Sequence, residues 1–370
     1  MSFIQKRGAI VKIKQHFLRW VSTALLTTLL TALIASPTEA SNRSISRQQR
    51  DQIAQKLKDR SANATVIIGD SANDPTVISN HVDTKDGKAK PISVYRLFPI
   101  ASLEKGITGV ALQQQFNKGT LSPKTKLSKY LPQVDNSQRI TIFHLLTHTS
   151  RLADAHNIAP YPIKTTAGNV HFTEHNYRVV NHDPGVWFYA NINYGLIAIM
   201  ISKVTHQSYH QYVEDHIIKA NHISGMKFFE QLKSNKDVTP VLVKENFILD
   251  PHESNSWRYL QREMSAEYGA GQIMTTPMGY WQFIHRAILD KPEIRNQYRK
   301  ATHQVKTEPA YYNGFYLKPD ELHANGFTDG YTCTVYTNLA NRHTFVVFSN
   351  NISLQKCRDL AAEINRIYNR

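Results

Sequence analysis

Leu97-Phe98-Pro99-Ile100-Ala101-Ser102-Leu103-Glu104-Lys105, continued by Gly106-Ile107-Thr108-Gly109-Val110-Ala111-Leu112, is an extended apolar run that turns into a helix with a hydroxyl and an amine at its head. Side chains three apart share a helix face, so Ser102 and Lys105 come within reach of each other. An amine that has lost its proton takes the serine proton and makes the hydroxyl a nucleophile, which is the chemistry of acyl transfer. The spacing itself is common: Ser224-Gly225-Met226-Lys227 and Ser353-Leu354-Gln355-Lys356 match it too. Context separates the three. Ser224 stands beside glycine in a polar-flanked turn, and Ser353 reads as the N-cap of a charged terminal helix. Only Ser102 opens a helix of small and apolar residues, the composition of a buried one. The bland alternative is a buried polar pair at a helix start.

A second constellation is Pro184-Gly185-Val186-Trp187-Phe188-Tyr189-Ala190-Asn191, a turn that feeds the apolar helix Gly195-Leu196-Ile197-Ala198-Ile199-Met200. A phenol near a neutral lysine relays a proton, and a nearby amide holds both that lysine and a substrate carbonyl. Tyr311-Tyr312-Asn313 and Tyr336-Thr337-Asn338 repeat the spacing, so a buried aromatic turn is the competing reading.

Around these motifs the chain reads as α/β (α+β). A helix over Ser46 to Arg60 precedes strands at Thr65–Asp70 and Thr76–Ser79; mostly helical periodicity runs to about Lys300, broken by Pro-rich loops. Strands return at Tyr331–Thr337 and Thr344–Phe348, and a helix from about Ser353 to Tyr368 closes the chain. Strands at both ends with helices between them predict an antiparallel sheet built from N- and C-terminal strands, flanked by helices, with a mostly helical insertion.

Lys6, Arg7, Lys12, Lys14 and Arg19 precede a charge-free segment from Trp20 to Ala35, and Pro37-Thr38-Glu39-Ala40 ends on a small residue. Residues 1–40 therefore read as a signal peptide, with a short membrane anchor as the alternative, and 41–370 as one working domain outside the cytoplasm. Cys333 and Cys357 are too few for a disulfide scaffold or a cysteine metal site, and sequence leaves their pairing open. The formal charge is +15; positions 1–40 hold five cations and one Glu, which leaves +11 for the remainder. Such an excess attracts a polyanion. No nucleic-acid-binding signature accompanies it, and an anionic cell-wall polymer or a membrane surface fits an exported chain better, bare solubility being the alternative. His144 and His148, like His206 and His210, have the four-residue spacing of paired metal ligands, but no Glu follows His144 as in zinc proteases, and no metal is expected.

Taken in order, these motifs resemble the serine β-lactamase and penicillin-binding protein family, in its class C β-lactamase and D,D-peptidase branch. Further stretches carry the likeness: Gly119-Thr120-Leu121 to Lys129-Tyr130-Leu131-Pro132, Ile140 to Ser150, Gly225-Met226, and Gly269-Ala270-Gly271 to Thr275-Thr276, from about Arg50 to the end. The resemblance implies a β-lactamase/transpeptidase-like fold and no cofactor. It also implies that Ser102 is acylated, Lys105 is its base, Tyr189 passes the proton to the leaving group and Asn191 orients Lys105 and substrate. The backbone N–H groups of Ser102 and Phe327 would form the oxyanion hole, and Asn325, Gly326 and Trp187 would contact substrate.

Two departures matter. Ala324 stands where the family has Lys or His ahead of Asn325-Gly326, so the cation that recognises a substrate carboxylate is missing. β-Lactams and D-Ala-D-Ala termini present that carboxylate; a D-alanyl ester on teichoic acid presents a positive amine instead. The expected function is thus an acyl-serine hydrolase of D-alanyl groups in the bacterial cell wall, with the teichoic acid ester ahead of the peptidoglycan stem peptide (D,D-carboxypeptidase) or a β-lactam. Arg151 replaces the glycine that the family has after Ser150. The rival class is a wall-binding protein that kept the fold and lost turnover.

Overall fold

A computed structural model of the protein describes residues 45–80, 93–232, 235–241 and 254–369; the N-terminal segment and its signal-peptide reading lie outside them. The central sheet has seven strands in the order β2-β1-β12-β11-β10-β9-β8, antiparallel at each pairing. They are β1 Ala64–Gly69, β2 Thr76–Asn80, β8 Tyr311–Tyr312, β9 Phe315–Lys318, β10 Glu321–Thr328, β11 Tyr331–Asn338 and β12 Thr344–Ser349. Strands from the two chain ends thus meet at β1 and β12, with Val66 opposite Val347. Both are buried along their whole length, because helices cover both faces of the sheet.

On one face lie the first helix among the described residues, Arg47–Asp59, and the closing helix, Leu354–Tyr368. The closing helix starts at Ser353, whose Oγ accepts the Lys356 N–H, and turns Cys357, Leu360, Ala361 and Ile364 inward at helical spacing against Val66, Ile68, Phe345 and Val347. The alternate side chains of the same strands, Ile67, Val346 and Phe348, enter the larger core beneath. Cys333 belongs to that larger core and Cys357 to the cluster across the sheet, so the buried thiols do not pair.

The insertion contains the helix Glu104–Asn117, which follows Ser102, and the helix Ile192–Thr205, which is apolar all round and buried over Ile192–Ile201. It also carries two small sheets: one orders β3 (Phe98–Pro99), β7 (Ile273–Thr275) and β6 (Met226–Phe228), and the other pairs β4 (Leu152–Asp154) with β5 (Tyr177–Val179). Sequence periodicity does not show these strands, nor β8 and β9, because each has two to four residues.

The β8–β9 turn packs backbone to backbone on the helix Glu104–Asn117. Gly314, at φ +94°, leaves no room for a Cβ, which would stand 2.3 Å from the Gly106 nitrogen. Arg151 adopts φ +66°, a conformation that suits glycine and strains other residues. Arg151→Gly is expected to stabilise the protein by about 0.5–1 kcal/mol, the relief of that strain less the chain entropy of glycine. A lower midpoint in urea for this variant would show that the arginine contacts outweigh the strain.

Candidate active site

Ala101, at φ +43°, is a strained non-glycine residue that turns the chain from β3 into the short 3-10 turn Ala101–Leu103 and aims Ser102 into a cleft. One helical turn on, Lys105 is fully buried. Its Nζ stands 2.8 Å from Ser102 Oγ, 2.7 Å from Asn191 Oδ1 and 3.4 Å from the Ala270 carbonyl oxygen. None of those partners is a carboxylate. Tyr189 donates its hydroxyl to Ser102 Oγ at 2.8 Å. Ser102 Oγ therefore lies between an amine and a phenol, each within proton-transfer reach. The four residues expected from sequence converge on one point.

The surroundings hold this arrangement, and sequence reading had not found their roles. Asp154, at the end of β4, accepts the N–H groups of Asn191 and Ile192 at 2.8 and 2.7 Å, anchoring the start of the helix that carries Asn191. Asn191 Nδ2 donates to Glu267 at 2.9 Å, which fixes the amide so that its oxygen faces Lys105. Burial raises the Glu267 carboxyl to about 7, against the pull of Lys105. His148 is not on the helix face of His144: that helix ends at Leu146, and His148 turns inward at φ +54°. Its ring packs against Tyr189 with centroids 4.3 Å apart, and its Nδ1 faces the Ala190 N–H and Asn193 Nδ2 at 3.3 and 3.0 Å. Burial, and then Lys105, holds His148 well below the ordinary histidine range, so it is a neutral platform for the phenol. His206 ends one helix and His210 lies on the next, bonded to Gln272 and Glu230. The other two Ser-x-x-Lys matches are structural: Ser224 bonds Gln282, and Ser353 caps the closing helix.

The cleft encloses about 230 Å³ and is lined by Ser102, Tyr189, Tyr311, Tyr316, Ala324, Asn325, Phe327 and Arg358 among others. β10 pairs with β9 only over Glu321–His323, so from Ala324 on its outer edge is open towards Ser102. The strand is thus interior in the sheet order and an edge only where the site needs one. At Gly326 a Cβ would meet the Ile100 carbonyl oxygen at 2.0 Å; only glycine lets β10 lie this close to the turn that holds Ser102. Asn325 is steadied by Thr334, whose hydroxyl donates to its Oδ1 at 2.8 Å. Trp187 stands beside Tyr189, ring centroids 6.3 Å apart, and is not among the residues lining this cleft.

The sequence profile of the Beta-lactamase family matches residues 50–366. The chain belongs to the β-lactamase family. It is 26% identical over 289 residues to the penicillin-binding protein PbpX of Bacillus subtilis, covering 73% of this chain and 66% of that one. It is 26% identical over 298 residues to Protein flp of Staphylococcus aureus strain MW2, covering 72% and 54%. The chain thus spans less than two thirds of the length of these relatives. In three dimensions it resembles D-amino acid amidase from Ochrobactrum anthropi SV3 solved with D-phenylalanine, at TM-score 0.71 and 15% identity, over 87% of this chain and 99% of that one. The antiparallel sheet with its helical insertion is therefore the fold of this family.

Proposed function

We propose that the protein hydrolyses D-alanyl esters of an anionic cell-wall polymer, teichoic acid, outside the cytoplasm, through an acyl-enzyme on Ser102. Lys105 Nζ takes the Oγ proton as Oγ attacks the acyl carbon; the backbone N–H groups of Ser102 and Phe327 hold the developing oxyanion; Tyr189 gives its proton to the departing alcohol. The proton on Lys105 then returns to the Tyr189 phenolate, which resets both groups; water attacks the acyl-serine, Lys105 takes its proton, and that proton passes to Ser102 Oγ as D-alanine leaves.

The observation that carries the substrate class is Ala324, buried in the cleft wall where relatives of this type place a cation against a carboxylate. The +11 balance of residues 41–370 suits a polyphosphate. The D-phenylalanine complex of the amidase is in keeping with a D-aminoacyl group. A second reading, D,D-carboxypeptidase, is favoured by Arg358, a cation in the same cleft that could meet a carboxylate. The test is D-alanine release from D-alanylated teichoic acid and from stem pentapeptide under the same conditions. Faster release from the polymer is expected, and faster turnover of the pentapeptide rejects the ester reading.

A further inference from the structure

Arg358 enters the cleft from the second turn of the closing helix, whose Leu354 also lines it. Among the described residues that line the cleft it is the only one with a formal charge. It is exposed and has no ion-pair partner among the described residues, whereas the nearby cation Lys318 is paired with Glu321 at 3.4 Å, and the adjacent Asp359 accepts from Gln355. Beneath it Tyr316, His323 and Tyr336 stack with centroids 5.1 Å apart across β9, β10 and β11. Burial keeps His323 neutral, its imidazole pushed down to about 4, so it supplies no second cation. An unpaired guanidinium in an otherwise uncharged aromatic cleft selects for an anion.

Its position says which anion. A carboxylate one residue from the scissile bond enters the site with that bond, alongside the buried Ala324; Arg358 is solvent-exposed at the mouth, where a polymer that stays in water passes. We propose that Arg358 is the specificity-determining cation of this cleft and binds a phosphodiester carried on the leaving alcohol of the substrate. The assignment rests on the ester reading above and extends it: the acyl group is chosen by the closed end of the site and the alcohol by Arg358.

The experiment compares two esters with the same scissile bond, D-alanyl glycerol and a D-alanyl ester of a glycerol phosphodiester, using the wild type, Arg358→Gln and Arg358→Lys. The wild type should favour the phosphodiester in kcat/KM by about tenfold or more, the effect of a charge-assisted hydrogen bond. Arg358→Gln should bring the ratio of the two substrates to near one, and Arg358→Lys should keep part of it. Added salt should erode the wild-type ratio and leave that of Arg358→Gln flat. Equal losses on both esters in Arg358→Gln, or a wild type indifferent to the phosphate, overturns the role of Arg358 and leaves the ester reading standing. A selective loss in Arg358→Gln on a D-Ala-D-Ala peptide instead assigns the arginine to a carboxylate and overturns the proposal. A wild type that hydrolyses neither ester removes the ester reading, and the arginine assignment with it.

Discussion

Replacing Lys105 with methionine is expected to lower the rate of Ser102 acylation by about 10³–10⁴-fold, the range lost when a positioned base is removed. Methionine keeps most of the buried stem, so the loss reports the amine and not a cavity. In the structure Nζ has one reacting partner, Ser102 Oγ at 2.8 Å, and two that orient it, Asn191 and the Ala270 carbonyl. Because the two residues act as one unit, Ser102→Ala combined with Lys105→Met should be no slower than either alone. Single-turnover acylation measures the lysine variant directly, and residual ester hydrolysis ranks the variants that lack Ser102. A loss below tenfold in the lysine variant would mean that another group deprotonates the serine.

Glu104→Ala should destabilise the protein by about 3–5 kcal/mol, though Glu104 touches no reacting atom. It sits between Leu103 and Lys105 but points away from the cleft, fully buried, accepting the N–H groups of Gln272 and Ile273 and the hydroxyl of Tyr209 at 3.1 Å. It ties the helix Glu104–Asn117 to β7, and alanine leaves two buried backbone donors without partners. Glu104→Gln keeps an acceptor and should lose less than half as much. Burial raises the Glu104 carboxyl from 4.5 to about 8, and Glu267 from 4.5 to about 7. The folded state therefore holds these protons more tightly than the unfolded chain does. The stability this lends is fully present below pH 4.5 and is lost as pH rises through 7 to 8, at about 1.4 kcal/mol per pH unit for each proton. Unfolding in urea across that range should show a falling wild-type stability and a shallower fall in Glu104→Gln. Stability that rises with pH there would show both carboxyls ionised in the fold.

The parts of the structure legible in the sequence are those set by local chemistry. Ser353 caps as read, at the start of Leu354–Tyr368, and Ser46, read as the first residue of a helix, is the cap of Arg47–Asp59. The runs at Thr65–Ile68, Tyr331–Thr337 and Thr344–Phe348 are β-branched and aromatic enough to be strands wherever they are placed. The cluster proposed to form the acyl-serine was legible because Ser102 and Lys105 are one turn apart, and Tyr189 and Asn191 share one loop. What escaped depends on distant pairing. Asp154 and Glu267 act on Asn191 from other elements, and neither lies in a pattern that names a partner. His148 was placed on a helix with His144 with no metal expected, and its left-handed turn under Tyr189 has no glycine to announce it. Arg358 looked like one more charge on a terminal helix; only the sheet order, which brings the closing helix beside β10 and β11, puts it in the cleft wall.

The most direct test of the account is intact-mass and peptide-mapping spectrometry of the protein quenched in acid during turnover of a D-alanyl ester. A single D-alanyl adduct on the peptide that contains Ser102, absent from Ser102→Ala, is the predicted result. An adduct on any other residue, or undiminished hydrolysis by Ser102→Ala, would contradict it.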